Sequence, residues 1–120
     1  MPPERREHKR YAPVETAYAA LGAEYLRVGK IRDFSSGGLS FEYLFDKDQN
    51  GGIVTVDIFL VDDTFHIHNL PCKIVYDVPL NKKESENLLF RSRMCAVSFT
   101  SPTLAHKLQI ANFIKLHTIE

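Results

Sequence analysis

The chain has 120 residues, room for a single domain, and its 44% apolar and 25% charged residues are typical of a globular protein rather than a disordered one. Fifteen Lys and Arg side chains balance fifteen Asp and Glu side chains, so the formal net charge is zero. This balance argues against a protein that coats nucleic-acid polymers or a membrane, because those partners select a large positive surplus. The charge is uneven, however, since residues 1–10 hold four basic and two acidic side chains.

Two cysteines, Cys72 and Cys95, lie in apolar, strand-like stretches without the spacing of a metal site. Two cysteines cannot staple a small secreted scaffold, so we expect free, buried thiols in a reducing compartment. The charged first residues are not followed by the apolar core of a signal peptide, and no apolar run reaches the length of a membrane span. The sequence therefore predicts a soluble, cytoplasmic protein.

The first half of the chain begins with a polar segment in which prolines disfavour a helix. We expect residues 1–11 to form a flexible arm and residues 12–120 to form the folded domain. Apolar alternation predicts strands over residues 14–20 and 23–32, with a turn at Gly22. The polar hexapeptide 33–38 predicts a second turn, in which glycine is free to take a positive φ, and a strand follows over residues 39–43.

In the second half of the chain, the apolar and β-branched runs predict strands over residues 53–61, 65–78 and 90–100. Pro71 indicates an edge, a bulge or a break, since proline has no N–H for a ladder. The core members expected in this strand are Ile67, Leu70, Ile74 and Tyr76.

A terminal helix is predicted from Ser101, as the N-capping hydroxyl, through Pro102 in the first turn to about His117. Its apolar residues recur at helical spacing, and we expect that stripe to pack on the strands. The stripe consists of Leu104, Leu108, Ala111, Phe113 and Ile114. Six short strands and one helix predict an all-β barrel or sandwich with a C-terminal helix.

The first candidate site is the arginine motif of the N-terminal segment, formed by Arg5, Arg6 and Arg10. A guanidinium group binds phosphate oxygens through two parallel hydrogen bonds, and it can also grip the O6/N7 edge of guanine. Taken alone, the motif favours a solvated basic tail over a binding site.

The second candidate site is the loop motif Asp33-x-Ser35-x-x-Gly38. A carboxylate can accept hydrogen bonds from the N–H donors of guanine, and a hydroxyl can donate to a phosphate. Glycine lets a ligand approach the backbone closely. Taken alone, this motif favours a polar turn between two strands over a binding site.

Together, the two motifs and the strand-rich remainder that ends in a helix resemble the PilZ domain, a family of bacterial receptors for the second messenger cyclic di-GMP. The matching residues are Arg6 and Arg10 in the arginine motif and Asp33, Ser35 and Gly38 in the loop motif. The strand that starts at residue 38 and the stretch over residues 95–100 also resemble the family. The resemblance extends from about residue 5 to about residue 119.

The resemblance implies a six-stranded antiparallel β-barrel with a C-terminal α-helix. It also implies that Arg6 and Arg10 wrap phosphates and guanine edges, while Asp33 and Ser35 hold a guanine and a phosphate. Gly38 would leave room for the guanine ring, and Arg5 is a further expected contact. The expected binding residues for cyclic di-GMP are Arg5, Arg6, Arg10, Asp33, Ser35, Gly37 and Gly38.

The resemblance further implies a nucleotide-binding signal-transduction protein, not an enzyme, whose ligand is cyclic di-GMP and which needs no cofactor. We expect it to signal to an unidentified downstream effector protein by ordering its arm, as a monomer or homodimer, without binding nucleic-acid polymers or a membrane. The alternative is a ligand-independent PilZ-like adaptor for pilus, flagellar or secretion machinery, which the intact motifs disfavour. The binding of one ligand or an intercalated pair is left open.

Two further patterns point to metals and are weighed against simpler interpretations. His66 and His68 lie on one face of a predicted strand, where they could supply two of the four ligands of a metal ion. No third or fourth ligand is evident in the sequence. We therefore expect ordinary surface histidines and no bound metal; a metalloenzyme built on this pair would require zinc. Asp46, Asp48 and Asn50 have the spacing of the first ligands of a calcium-binding loop. The glutamate expected at position 12 of such a loop is replaced by Asp57, so we interpret the match as accidental.

Overall fold

The computed structural model describes residues 8–22, 27–45, 53–80 and 91–119, which form eight strands and one helix. The alternating apolar residues of the sequence lie in strands, as predicted. The elements are β1 (Ala12–Pro13), β2 (Ala17–Leu21), β3 (Arg27–Ser35), β4 (Gly38–Phe45), β5 (Ile53–Leu60), β6 (His66–Pro79), β7 (Arg91–Phe99), α1 (Leu104–His117) and β8 (Thr118–Ile119).

Six of these strands close into an antiparallel barrel in the order β2-β3-β4-β7-β6-β5. The barrel closes because β2 pairs with both β3 and β5 along its length. Small side chains line this seam, where Ala17, Ala19 and Ala20 are no more than 1% exposed. The predicted all-β fold, a six-stranded antiparallel barrel with a C-terminal helix, is therefore confirmed.

The barrel interior is filled by aromatic and branched aliphatic side chains from every barrel strand. Burial alternates along β3, so that Ile31 and Phe34 point inward. Phe34 packs on Phe113 of α1 with ring centroids 4.4 Å apart, which fastens the helix to the barrel. Burying a side chain of this size contributes about 1.5–3 kcal/mol to stability.

The helix begins two residues later than the sequence predicted. Its N-cap is Thr103, whose hydroxyl oxygen accepts a 3.0 Å hydrogen bond from the backbone N–H of His106. Ser101 instead has a φ of 45°, a left-handed conformation that turns the chain into the helix, so the prediction of Ser101 as the cap was wrong. Among the described residues, no helix is both long and apolar enough to cross a membrane.

The predicted packing stripe of the helix is only partly correct. Phe113 is fully buried and Ile110, which the stripe did not include, is 3% exposed. Leu104 and Leu108 are 73% and 59% exposed, because the helix contacts the barrel mainly through its second half.

Three register shifts interrupt the barrel ladders among the described strands. Arg32 is the extra residue of β3, since Ile31 pairs with Phe41 and Asp33 pairs with Ser40. The other two lie in β6, at residues 68–69 and at residue 75. A bulge of this kind re-aims the side chains around it.

The bulge at Val75 explains why Tyr76 is 42% exposed although the alternation predicts a core position. The extra residue reverses the parity of β6, so that Asp77 rather than Tyr76 pairs with the buried Cys95. Pro71 lies neither at a sheet edge nor at a break. It pairs with Thr55 of β5, just where the ladder to β7 begins.

The negative charge of the inward-facing Asp77 is balanced by Arg93 and Arg27, which form an ionic cluster with it and with Tyr43. Its carboxylate accepts hydrogen bonds from Arg93 Nε at 2.7 Å and from the Tyr43 hydroxyl at 2.5 Å, and Arg27 Nε lies 3.4 Å away. Burial, followed by the hydrogen bond to Asp77, raises the pKa of Tyr43 to about 12. The hydrogen bond that Arg93 donates to Asp77 raises the pKa of Arg93. The cluster satisfies a charge inside the barrel and thereby stabilises the fold.

The described N-terminal segment is tied to the barrel at Tyr11. The backbone N–H of Tyr11 donates to the carbonyl of Phe34 at 2.8 Å, and the Phe34 N–H donates back at 2.9 Å. Immediately afterwards, β1 pairs with β8, which follows the helix. Residues 8–10 are thereby placed beside the turn between β3 and β4.

The turn between β3 and β4 depends on two glycines for space rather than for a positive φ. Gly22 is the glycine with a positive φ (88°) among the described residues, so the expectation of such a conformation at Gly37 or Gly38 was wrong. A Cβ atom on Gly38 would collide with the backbone carbonyl of Val97, and one on Gly37 would collide with the ring of His8.

Gly38→Ala should destabilise the protein more than Gly37→Ala. The Val97 carbonyl belongs to a strand paired with β4 and cannot withdraw, so we expect Gly38→Ala to lower the free energy of unfolding by about 1–3 kcal/mol. The His8 side chain can move aside, and Gly37→Ala should cost little. Urea denaturation of both variants measures the difference; equal losses would contradict the close approach of β4 to β7.

The thiols of Cys72 and Cys95 should resist modification in the folded protein. Both are free and fully buried, as predicted, and burial raises the pKa of each to about 12. A thiol below its pKa is protonated and therefore a poor nucleophile. We expect no reaction with Ellman's reagent at mildly alkaline pH until guanidinium is added, after which both thiols should react. Rapid modification of either thiol in the native protein would contradict the packing.

Candidate ligand-binding site

An open cleft of about 220 Å³ lies where the described N-terminal segment crosses the turn between β3 and β4. Four parts of the chain contribute to it: the N-terminal segment, the turn between β3 and β4 with the strand ends beside it, the second bulge of β6 at Val75, and the second half of β7. The lining residues are His8, Arg10, Asp33, Phe34, Ser35, Gly37, Gly38, Leu39, Ser40, Val75, Tyr76, Ala96, Val97 and Ser98.

Asp33 is presented to the cleft by the bulge at Arg32. Without the extra residue, the alternation of β3 would carry the side chain at this position toward a different face. Ser40, which is 5% exposed and pairs with Asp33, donates its hydroxyl to Asp33 Oδ2 at 3.3 Å. This bond holds the carboxylate at the cleft while leaving its other oxygen open to further donors.

Arg10 and Asp33 meet at the cleft although 22 residues separate them in the sequence. Arg10 Nη1 lies 3.8 Å from Asp33 Oδ2, and the two side chains are 46% and 48% exposed. An ion pair this exposed contributes at most about 1 kcal/mol to stability. The Arg10 guanidinium, a hydrogen-bond donor, therefore lies beside the Asp33 carboxylate, an acceptor. Both groups remain accessible to a ligand.

Ser35 has a role inside the turn. Its Oγ donates to the carbonyl of Gly38 at 3.2 Å and accepts from the backbone N–H of Gly37 at 3.2 Å. The hydroxyl would have to leave the Gly38 carbonyl to donate to a phosphate.

His8 lines the cleft, although no sequence pattern assigned it a role there. His8 Nδ1 lies 2.9 Å from Ser36 Oγ, within hydrogen-bond distance, and the imidazole packs on Gly37. The only sequence signal for His8 was its place inside the arginine motif.

The cleft has an apolar side that motif spacing does not reveal. Val75 and Tyr76 project into it from the bulge of β6, where they are 59% and 42% exposed. Ala96 and Val97 of β7 continue this wall. Of the expected binding residues, Arg10, Asp33, Ser35, Gly37 and Gly38 lie together here, whereas Arg5 and Arg6 lie outside the described residues.

A second group of side chains that could bind a metal ion, Asp57, His66 and His68, lies on β5 and β6. The histidine pair is joined by a carboxylate, because Asp57 Oδ2 lies 2.8 Å from His66 Nε2 and 3.4 Å from His68 Nδ1. The expectation that the histidines lack a third potential metal ligand was therefore wrong. Asp57 comes from the neighbouring strand, so the spacing of the histidines could not reveal it.

Comparison with known proteins agrees with the fold. The PilZ domain model matches residues 4–116. The structure of the PilZ domain with c-di-GMP of YcgR from Escherichia coli has a TM-score of 0.66 and 16% sequence identity, covering 93% of this chain and 90% of that chain. The crystal structure of YcgR in complex with c-di-GMP from Escherichia coli has a TM-score of 0.65 and 12% identity.

The second match covers 93% of this chain but only 45% of the YcgR chain, so this protein spans less than half of that one. At these identities the two structures establish a shared fold. No curated protein matches the sequence significantly. The barrel, its terminal helix and the family match over residues 4–116 place this chain in the PilZ domain family.

Proposed function

We propose that this protein is a receptor for cyclic di-GMP, which binds in the cleft beside the turn between β3 and β4. The observation that carries the proposal is the meeting of Arg10 and Asp33, one from each family motif, at 3.8 Å on that cleft. Family membership and two structural neighbours whose titles name c-di-GMP support the choice of ligand.

The polar groups of the cleft match the chemistry of this ligand. Cyclic di-GMP offers two phosphate anions and two guanines, each with an acceptor edge and a donor edge. Arg10 can bind a phosphate or the O6/N7 edge of a guanine through two hydrogen bonds. Asp33 can accept from the N1–H and N2–H donors of a guanine, and Ser35 can donate to a phosphate after leaving the Gly38 carbonyl.

The apolar wall complements these polar groups. Val75, Tyr76 and Val97 offer surface to a guanine ring, as the apolar linings of ligand sites generally do. The cleft, at about 220 Å³, is smaller than the roughly 300–1,000 Å³ of typical small-molecule pockets. It would therefore cover only part of a cyclic dinucleotide. In our proposal the arginines of residues 1–11 cover the rest.

Signalling would follow from the position of residues 1–11, the N-terminal arm of the proposed two-part organisation. Closing this arm over the ligand would change the surface that the protein offers to a downstream effector protein or to a second copy of itself. Such ordering of a segment by a ligand is an established type of switch. The protein then acts as a receptor rather than an enzyme, and its proposed signal is cyclic di-GMP.

Isothermal titration calorimetry with cyclic di-GMP tests the two charged residues. Losing a hydrogen bond to a charged group costs about 1.5–3 kcal/mol, so Arg10→Ala and Asp33→Asn should each weaken binding about 10- to 100-fold. Arg32→Ala is the matched control. Arg32 neighbours Asp33, but its guanidinium binds Glu42 at 2.6 Å and does not line the cleft.

The control should bind within about twofold of the unchanged protein, since it removes an exposed ion pair of little net energy. Unchanged affinity in both Arg10→Ala and Asp33→Asn would overturn the site. Absence of binding by the unchanged protein would favour the adaptor role. The same titration gives the number of ligands bound per chain.

Salt should weaken binding of cyclic di-GMP, and part of that weakening should depend on Arg10. Contacts between exposed guanidinium groups and phosphates are screened by dissolved ions. We expect the dissociation constant to rise with sodium chloride concentration, and to rise less steeply in Arg10→Ala than in Arg32→Ala. Equal slopes for the two variants would show that Arg10 does not contact a phosphate.

A further inference from the structure

A cluster of metal-ligating side chains, Asp57, His66 and His68, lies apart from the proposed ligand cleft. None of the three lines that cleft. One oxygen, Asp57 Oδ2, lies 2.8 Å from His66 Nε2 and 3.4 Å from His68 Nδ1. The three ligand atoms all lie within 4.8 Å of one another. Two imidazole nitrogens and a carboxylate oxygen thus converge on one small volume.

The convergence is built by the first bulge of β6. Ile58 pairs with Ile67 and Val56 pairs with Leu70, so two residues of β6 stand opposite Asp57. Asn69 accommodates the extra residue with a left-handed φ of 51°. Its backbone N–H then donates to Asp57 Oδ1 at 3.0 Å, which fixes the carboxylate and leaves Oδ2 facing the histidines.

The spacing of these atoms fits a tetrahedral ion. Zinc bonds of about 2.0–2.1 Å to nitrogen and oxygen place neighbouring ligand atoms about 3.3 Å apart. The distances from Asp57 Oδ2 to the two imidazole nitrogens bracket that value. Rotation of the stacked imidazole rings toward the carboxylate would bring all three atoms onto one ion.

The charges also favour a cation here. The imidazoles of His66 and His68 stack with centroids 3.6 Å apart, so both rings lie beside the Asp57 carboxylate. Asp57, which supplies the carboxylate, is 3% exposed. Its negative charge lies where the nitrogens of the two imidazoles approach it, which favours a divalent ion at that point.

The donor set selects the class of ion. Imidazole nitrogens suit zinc and its neighbours among the transition metals, whereas calcium and magnesium prefer oxygen ligands. Phe59 packs on His66 with centroids 5.6 Å apart and gives the cluster an apolar side. His68 is 65% exposed, which provides an entry path and leaves a fourth position for water.

We propose that Asp57, His66 and His68 bind one divalent transition-metal ion of the zinc class, with water as the fourth ligand. The site is independent of cyclic di-GMP binding, and each can fail without the other. Cys72 and Cys95 do not compete for the ion, because both are fully buried.

Zinc titration of the untagged, chelator-treated full chain tests the site by calorimetry. We expect one zinc ion per chain and at least tenfold weaker binding in His68→Ala, whose exposed ring can be removed without disturbing the core. Asp57→Asn should weaken zinc binding similarly, and it keeps an oxygen for the Asn69 N–H. His8→Ala, which removes a histidine outside the cluster, should bind zinc within twofold of the unchanged chain.

Cobalt provides a second readout, because a tetrahedral cobalt ion absorbs visible light far more strongly than a hydrated one. The unchanged chain and His8→Ala should develop this absorption, and His68→Ala should not. If Asp57→Asn fails to fold, His68→Ala and the cobalt spectrum still test whether the site binds metal.

Equal zinc affinity in His68→Ala and the unchanged chain, or one ion shared by two chains, would overturn the proposal. His68→Ala should keep its affinity for cyclic di-GMP, so failure at one site is distinguishable from failure at the other.

Discussion

Closure of the six-stranded barrel through the β2–β5 ladder is the constraint on which the rest of the structure depends. A closed sheet has no free edge along which a strand can slide, so an extra residue must be absorbed locally as a bulge. Each of the three described bulges turns polar or aromatic side chains to the outer surface. The bulge in β3 presents Asp33, one in β6 presents Tyr76, and the other brings His66 and His68 over Asp57. Both proposed sites are thus built from irregularities that the closed barrel makes unavoidable.

Much of the fold follows from local patterns in the sequence. Period-two alternation and turn residues predict all six barrel strands, because a strand with one buried face must alternate. The helix, the free buried thiols and the family are predicted correctly as well. The motif residues from Arg10 to Gly38 lie on one cleft, whereas the part of the arginine motif before residue 8 lies outside the described residues.

What the sequence analysis missed depends on pairing between strands. Neither the exposure of Tyr76 nor the partnership of Asp57 with the histidines can be inferred from one strand alone. A signal was nevertheless present, because inward-facing residues at each bulge are three positions apart instead of two. The pairs are Ile31 and Phe34, Ile67 and Leu70, and Ile74 and Asp77. The helix cap was misplaced for a different reason: Ser101 and Thr103 both carry suitable hydroxyls, and only backbone geometry distinguishes them.

The paired hydrogen bonds between Tyr11 and Phe34 have a consequence for the thermodynamics of binding. Fixing the backbone of one residue costs about 1–2 kcal/mol of conformational entropy. Arg10 is joined to a residue whose N–H and carbonyl are already bonded to the barrel, so much of this cost is met during folding. A ligand that uses Arg10 therefore meets a preorganised group. Binding through Arg10 should accordingly carry a smaller entropic penalty than binding through a group that must first be ordered.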